Sequence, residues 1–292
     1  DVFPEFFVQK SDSRILARPI LDYHNFSANL GLDYRPVDNF EIKFNLSRVD
    51  RTPNPAELFA DGLHHSAAIV EEGDMRIKRE TLYQANLSLV SNFNLLKGLR
   101  VEATPYVMIS DNFINQVPTG IQNSNRGVFP IWSYQQIKAR LFGIDADAEL
   151  NILDNLKWNT GFSALKGDDL SNNEPLILMM PSNLRNSLEW KMNVPNNFYL
   201  RLENVNVFKQ NRFPIRNQTV DFIEDGTFFR EELDLSSTPS AYTLFNASIG
   251  ADVARNFNIN FRINNIFNTE YREYLNRLRY FMPENGRNFI LT

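Results

Sequence analysis

Residues 257–275 read FNINFRINNIFNTEYREYL, and their first eight residues decide how the whole chain is read. Phe257, Ile259, Phe261 and Ile263 share one parity, while Asn258, Asn260, Arg262 and Asn264 share the other. A period of two is the mark of a β-strand, whose side chains point alternately to opposite faces. One face of this strand is therefore wholly apolar and the other wholly polar. The question is whether the apolar face meets a protein core or lipid.

The same alternation recurs along the chain. Phe40, Ile42, Phe44 and Leu46 oppose Glu41, Lys43, Asn45 and Ser47; Phe142, Ile144, Ala146, Ala148 and Leu150 oppose Gly143, Asp145, Asp147, Glu149 and Asn151. Leu188, Trp190 and Met192 oppose Glu189, Lys191 and Asn193, and Phe198, Leu200 and Leu202 oppose Tyr199, Arg201 and Glu203. Phe245, Ala247, Ile249 and Ala251 oppose Asn246, Ser248, Gly250 and Asp252. None of these apolar faces carries a charge.

The connections between strands separate the two answers. Five are short and rich in turn formers, at 35–39, 91–98, 151–157, 193–197 and 253–256. Pro, Asn, Asp and Gly suit such turns because they preset or tolerate the dihedrals required. Between them fall five long polar stretches, 52–76, 110–136, 167–182, 208–240 and 268–285, which read as irregular loops. Short and long connections alternate strictly. In an antiparallel meander alternate connections emerge at the same end, so one end carries tight turns and the other long loops. That asymmetry is usual for an outer-membrane barrel and has no rationale in a soluble sandwich.

About eleven strands are expected, over 22–34, 40–51, 77–90, 99–109, 137–150, 158–166, 183–193, 198–207, 241–252, 257–267 and 286–292. Many exceed the usual length of roughly five or six residues and match the 9–11 needed to cross hydrocarbon. The fold class read here is all-β, an antiparallel up-and-down transmembrane β-barrel. An odd strand count does not close a bacterial single-chain barrel, so the chain reads as part of a larger one. It forms one unit over 1–292, with no internal boundary, repeat or low-complexity linker. The opening DVFPEFFVQK lacks the basic segment and apolar run of a secretory signal and does not begin with Met, so it reads as processed or cut from a longer chain.

Composition narrows the function. The chain has 292 residues, 13% of them aromatic, a net charge of −5, three His and no Cys. The acidic balance argues against nucleic acid as a partner. Without Cys there is no disulfide framework, thiol nucleophile or Cys-ligated metal. No apolar run approaches the roughly 18 residues of a membrane helix. No nucleophile elbow, phosphate loop or paired-histidine metalloprotease motif is present, so an enzyme is not expected and no cofactor is implied. A barrel hydrolase would need a Ser–His or Asp–His pair at the barrel mouth, and a soluble β-sandwich binding module would have loops of similar length at both ends.

Several residue groups are candidates for binding. His64 and His65 lie in the first long loop with Asp61, Glu71, Glu72 and Asp74, and imidazole with carboxylate suits Zn²⁺ or a similar ion. The plain alternative is a solvated acidic loop, since neighbouring residues in extended chain point apart. Arg51, Arg76, Arg79, Arg126, Arg212 and Arg216 lie near loop bases, where they would hold an anionic chelate or pair with other loops. Asp145, Asp147, Glu149, Arg201 and Glu203 read as ordinary lining of a wet lumen. Tyr34, Trp132, Tyr134, Trp158, Tyr199 and Tyr242 suit the aromatic girdles at a membrane interface.

Two blocks carry a resemblance. INNIFNTEY followed by PENGRNFILT resembles the C-terminal signature of TonB-dependent outer-membrane receptors, through Asn265, Ile266, Phe267, Asn268 and Tyr271, then Pro283, Gly286, Arg287, Asn288 and Phe289. SRVDRTPNPAELFADGLHH is similar to the family's Arg-x-Pro, Glu-Leu-Phe and Gly-x-His segment, through Arg51, Pro53, Glu57, Leu58, Phe59, Gly62 and His64. Gly73, Asp74, Ile77 and Glu80 resemble the loop's return, with Asp in place of the usual Asn. The resemblance implies the C-terminal part of a 22-stranded barrel, with the family's plug domain and TonB-contact motif outside this sequence, in a Gram-negative outer membrane. It further implies energised uptake of a scarce nutrient captured by the long loops, with an iron chelate first and zinc, haem, cobalamin or a glycan as alternatives. Some metal receptors of the family carry His at the position of His64. The expected binding set is His64, His65, Asp61, Glu71, Glu72, Arg126 and Arg212, with His64 as the candidate metal ligand.

Overall fold

The computed structural model describes residues 20–292 apart from 125–126, 193, 195–196, 225, 236 and 255–256. In chain order its elements are β1 (Ala28–Val37), β2 (Phe40–Arg51), α1 (Pro55–Phe59), β3 (Asp61–His64), β4 (Ile69–Glu72), β5 (Glu80–Phe93), β6 (Leu99–Ser124), β7 (Gly127–Leu153), β8 (Leu156–Asp169) and β9 (Glu174–Pro175). They continue with β10 (Asn183–Lys191), β11 (Tyr199–Val207), β12 (Asn217–Glu224), β13 (Thr227–Asp234), β14 (Tyr242–Ala254), β15 (Phe257–Asn264), the 3₁₀ turn Arg277–Tyr280 and β16 (Asn288–Leu291).

Eleven strands form one antiparallel meander in the order β1-β2-β5-β6-β7-β8-β10-β11-β14-β15-β16. The expected strand count therefore holds, as does the alternation of short and long connections between the described strands; the expected turns at 193–197 and 253–256 fall partly outside the described residues. Among the described residues β1 and β16 each pair on one side only. The sheet is an open section of barrel wall.

Register carries the alternation across the wall. Leu99, Leu150, Trp158, Leu188, Leu202, Ala247, Ile263 and Phe289 lie in one transverse row, each opposite the next. Nearer the tight turns, Leu156, Trp190, Leu200, Ile249, Phe261 and Leu291 form a second such row. Leu30, Leu32, Phe44, Leu46, Trp190, Leu202, Ile259 and Phe289 are all exposed. In water so large an apolar surface would be a liability; in hydrocarbon it is the stabilising face. The opposite parity is polar and lines a recess bounded by Glu189, Lys191, Arg201, Ser248, Asp252 and Arg262. There Lys157 meets Glu149 at 2.7 Å, and Glu203 accepts from Arg262 at 2.7 Å and lies 3.4 Å from Arg201. Tyr199 also lies on this face, over Gly250 directly opposite, and accepts a hydrogen bond from Asn260. It is not a girdle residue.

The structure corrects the sequence reading mainly in the long connections. The first strand starts at 28 rather than 22. Residues 110–136 are not an irregular loop: β6 and β7 continue past the wall as a two-stranded ribbon. Register shifts at Ser110/Phe113 and Pro118/Gly120 break the period of two there, which hides the ribbon from an alternation argument. Residues 208–240 contain the separate hairpin β12–β13, and 52–76 contain α1 and the hairpin β3–β4.

The dry core sits among these outer elements, not within the wall. Ile69, Val117, Trp132 and Ile177 form one buried cluster; Ile137, Ala139, Leu141 and Leu176 a second; Leu58, Ile77 and Ile114 a third. Trp132, only 1% exposed, is thus a core residue and not part of an interfacial girdle, and Tyr134 packs against the third cluster. Among the described residues no helix is long and apolar enough to cross a membrane, which says nothing of strands.

Candidate functional site

The first long connection, 52–79, is fastened at its base by Arg51. Its guanidinium donates to both carboxylate oxygens of Glu57 at 3.0 and 2.9 Å and to Glu80 at 2.6 and 3.2 Å. Glu57 also completes a capping box on α1, accepting from the Asn54 amide while the Asn54 side chain accepts from the amide of Glu57. Pro53 is buried beside it, at the start of the loop. Gly73 brings the return chain against α1: a Cβ there would lie 2.6–2.8 Å from backbone atoms of Leu58, Phe59 and Ala60. The motif residues of this block are therefore a fastening, which explains why Arg, Glu and Gly stand at these positions.

The second block is also a fastening. Asn265 and Asn268 take left-handed backbone with φ 52° and 54°, a conformation Asn tolerates better than most residues. The Asn265 side chain accepts from the Thr269 amide and donates to the Thr269 carbonyl, both at 2.8 Å. Asn268 accepts from the Arg287 amide at 2.9 Å, close over Gly286. Phe267 meets Phe245 edge-on at 5.2 Å, Tyr271 lies 4.6 Å from Tyr242, and Phe289 stacks on Phe261 at 6.2 Å. Asn288 accepts from Asn264 at 3.0 Å. Replacing Asn265 with Ala is expected to destabilise this end of the wall by about 2 kcal/mol, from lost hydrogen bonds and left-handed strain. Asn265→Gly should cost less, because it relieves the strain alone; thermal loss of the folded electrophoretic form distinguishes the two.

Above these fastenings, β3 and β4 pair Asp61 with Glu72 and His64 with Ile69, and β4 adds in parallel to the β7 ribbon opposite Ile131, Trp132 and Ser133. His64 Nδ1 lies 3.3 Å from Glu71, whose carboxylate also accepts from Gln116 at 3.3 Å. Gln116 in turn accepts from Arg277, whose guanidinium carbon lies over the Trp132 ring, 4.2 Å from its centre. Burial lowers the Arg277 pKa below the usual arginine value, against the opposing pull of Glu71. Glu72 accepts from Ser133 at 2.7 Å, and Ser133 shares a hydrogen bond of 2.6 Å with Thr119.

The expected set is thus only partly assembled. His64, Glu71 and Glu72 lie on one hairpin, with Asp61 opposite Glu72, while His65 is exposed on the turn. Among the described residues no three His, Cys, Asp or Glu side chains come together as a metal group. Arg212 lies elsewhere, donating to Asp168 at 2.6 Å. Arg76 pairs with Asp74, Arg79 with Asp50 and Arg216 with Glu174, the loop-pairing alternative for these cations. Arg126 falls outside the described residues. Gln116, Trp132 and Arg277 were not legible as site residues; only the fold brings them beside His64 and Glu71.

Ser66 Oγ lies 3.1 Å from His64 Nε2, so serine, histidine and glutamate stand in the order of a hydrolase relay. Ser66, on the hairpin turn, and His64, at the end of β3, are both exposed. Hydrolysis of this type gains most of its rate from donors preorganised around the oxyanion in a water-excluded site. The hydrogen-bond chain here orients His64 toward Glu71.

These features define a class: an antiparallel membrane-type barrel wall crowned by interlocked loops. A family model described as "TonB dependent receptor-like, beta-barrel" matches residues 5–266, and the chain belongs to that family. Among solved structures it resembles the copper transporter OprC (TM-score 0.67, 19% identity, 90% of this chain and 38% of that one). It also resembles a mutant of the ferric enterobactin receptor PfeA from Pseudomonas aeruginosa (0.63, 17%, 90% and 39%) and the siderophore receptor PirA from Acinetobacter baumannii (0.60, 14%, 90% and 40%). At these identities the likeness is one of fold. The chain spans about two fifths of the length of those structures. Comparison with curated protein sequences found no match.

Proposed function

We propose that this chain forms wall and outer loops of a Gram-negative outer-membrane receptor that takes up a scarce nutrient, with an iron chelate as the first ligand class. In the full-length receptor a plug domain closes the lumen, and TonB supplies the energy. The observation that carries the reading is the division of the wall into exposed apolar rows and a polar recess, in a chain that belongs to this family. The choice of an iron chelate is supported by the names of the ferric enterobactin and siderophore receptors among its structural relatives; the copper transporter supports a metal cargo more broadly.

Transport needs no covalent chemistry from the protein. The long loops capture the ligand, and the polar recess offers it a wet path. The test compares bacterial cells producing the full receptor with cells lacking it, for uptake of radiolabelled ferric catecholate and ferric hydroxamate. Receptor-dependent uptake that stops when the proton gradient is collapsed supports the reading. Uptake of copper, zinc, haem, cobalamin or a glycan in place of the ferric chelates would move the ligand to that class.

A further inference from the structure

Among the described residues, the first charged groups met on the outward parity from the tight turns upward lie in two adjacent rows near the long-loop end, beyond apolar residues and the uncharged Thr160, Asn186, Asn204 and Asn206. In the first, Phe142 stands opposite Lys166; in the second, Arg140 stands opposite Asp168. Arg140 and Lys166 both reach the Phe142 ring, at 5.9 and 6.0 Å. Arg48, further round on the row of Arg140, lies 5.3 Å from the Phe26 ring and pairs with the buried Asp50. Near the tight-turn end, by contrast, the outward row Leu156, Trp190, Leu200, Ile249, Phe261 and Leu291 carries no charge.

The cations around Phe142 outnumber their partners. Asp168 alone serves two guanidinium groups, accepting from Arg140 at 2.9 Å and from Arg212 at 2.6 Å. Lys166 is exposed and makes no ion pair among the described residues. Lys138, also exposed and of the same parity, pairs with Asp111 at 3.7 Å. Long basic side chains at the edge of an apolar band lay their stems along it and hold their charge at headgroup depth. There the complementary anion is the phosphate of a lipid.

We propose that Lys166, Arg140 and Arg212, set around Phe142, bind the phosphate headgroup of an anionic lipid at the long-loop rim of the wall. The Phe142 ring lies against the first acyl carbons, Lys166 contributes the uncommitted charge, and Arg140 shares its fork between Asp168 and the phosphate. This inference rests on the outward rows facing lipid and is independent of which nutrient is carried.

The test is native mass spectrometry of the protein in detergent, titrated with phosphatidic acid and, separately, phosphatidylcholine. Phosphatidic acid should bind more tightly, and Lys166→Gln should weaken it about fivefold, the effect of one surface cation. Lys166→Gln combined with Arg140→Gln should bring both lipids to the same affinity. Lys97→Gln, in a tight turn, should change nothing. Preference for phosphatidic acid that survives the double substitution would place the site elsewhere and overturn the proposal, as would displacement of the lipid by equimolar inorganic phosphate. Equal binding of both lipids by the wild type would overturn the headgroup site while leaving the lipid-facing wall intact. Failure of either lipid to associate would remove both.

Discussion

Replacing Arg51 with Met should unfasten the first long loop while leaving the wall in place. The substitution keeps the aliphatic stem and removes the fork that joins Glu57 to Glu80, two carboxylates that are themselves buried. Removing one partner of a buried ion pair costs more than the pair contributes, because the remaining charge is stranded. Arg51 has 43% of its side chain exposed, so water offsets part of the loss, and about 2–3 kcal/mol is expected. Hydrogen exchange should show lost protection confined to residues 52–79 and the contacts of β4 with β7. A loss spread over all eleven strands, or none at all, would contradict the assigned role. A second variant, Glu57→Gln, should reproduce part of the effect, since it keeps the shape of the capping box and gives up the charge.

A larger effect is expected from charge on the outward face. Phe162 lies in the middle of β8, exposed on the outward parity, in the row between Ala146 and Leu184 and midway between the two ends of the band. Phe162→Arg should destabilise the protein in lipid by about 2–4 kcal/mol, the cost of an arginine near the bilayer midplane. On the opposite parity Glu203 already sits in an ion-paired polar face, so Glu203→Gln should cost under about 1 kcal/mol. Reversible unfolding from lipid vesicles in denaturant measures both.

How much of this was legible before the structure depends on the length scale of the signal. The wall was legible because each strand repeats a local two-residue pattern, as in Phe40–Ser47 or Phe257–Asn264, and because register then follows from alternating turns. The β6–β7 ribbon was not, since bulges at Ser110/Phe113 and Pro118/Gly120 interrupt the pattern and a Pro and a Gly read as loop. Trp132 illustrates the same limit: near a strand end it reads as an interfacial ring, and only contact with Ile69, Val117 and Ile177 makes it core.

The site divides in the same way. Arg51, Glu57, Asn265 and Asn268 were visible as motif residues, but the sequence did not show that they fasten loops. The link from His64 and Glu71 through Gln116 to Arg277 joins positions separated by as many as 161 residues, and no local spacing encodes it. Arg212 was legible as a loop-base cation, while its partner Asp168, 44 residues away, was not.

The central claim is that acyl chains, and not another layer of protein, cover one face of a single sheet. Because the chain has no Cys, nitroxide labels can be attached one at a time along β2, from position 40 to 47, after reconstitution into bilayers. Collision with molecular oxygen, which concentrates in hydrocarbon, should peak at 40, 42, 44 and 46, and collision with a water-soluble nickel chelate at 41, 43, 45 and 47. Labels at the even positions that are immobile and shielded from both reagents would show those side chains buried in protein, and the account would fail.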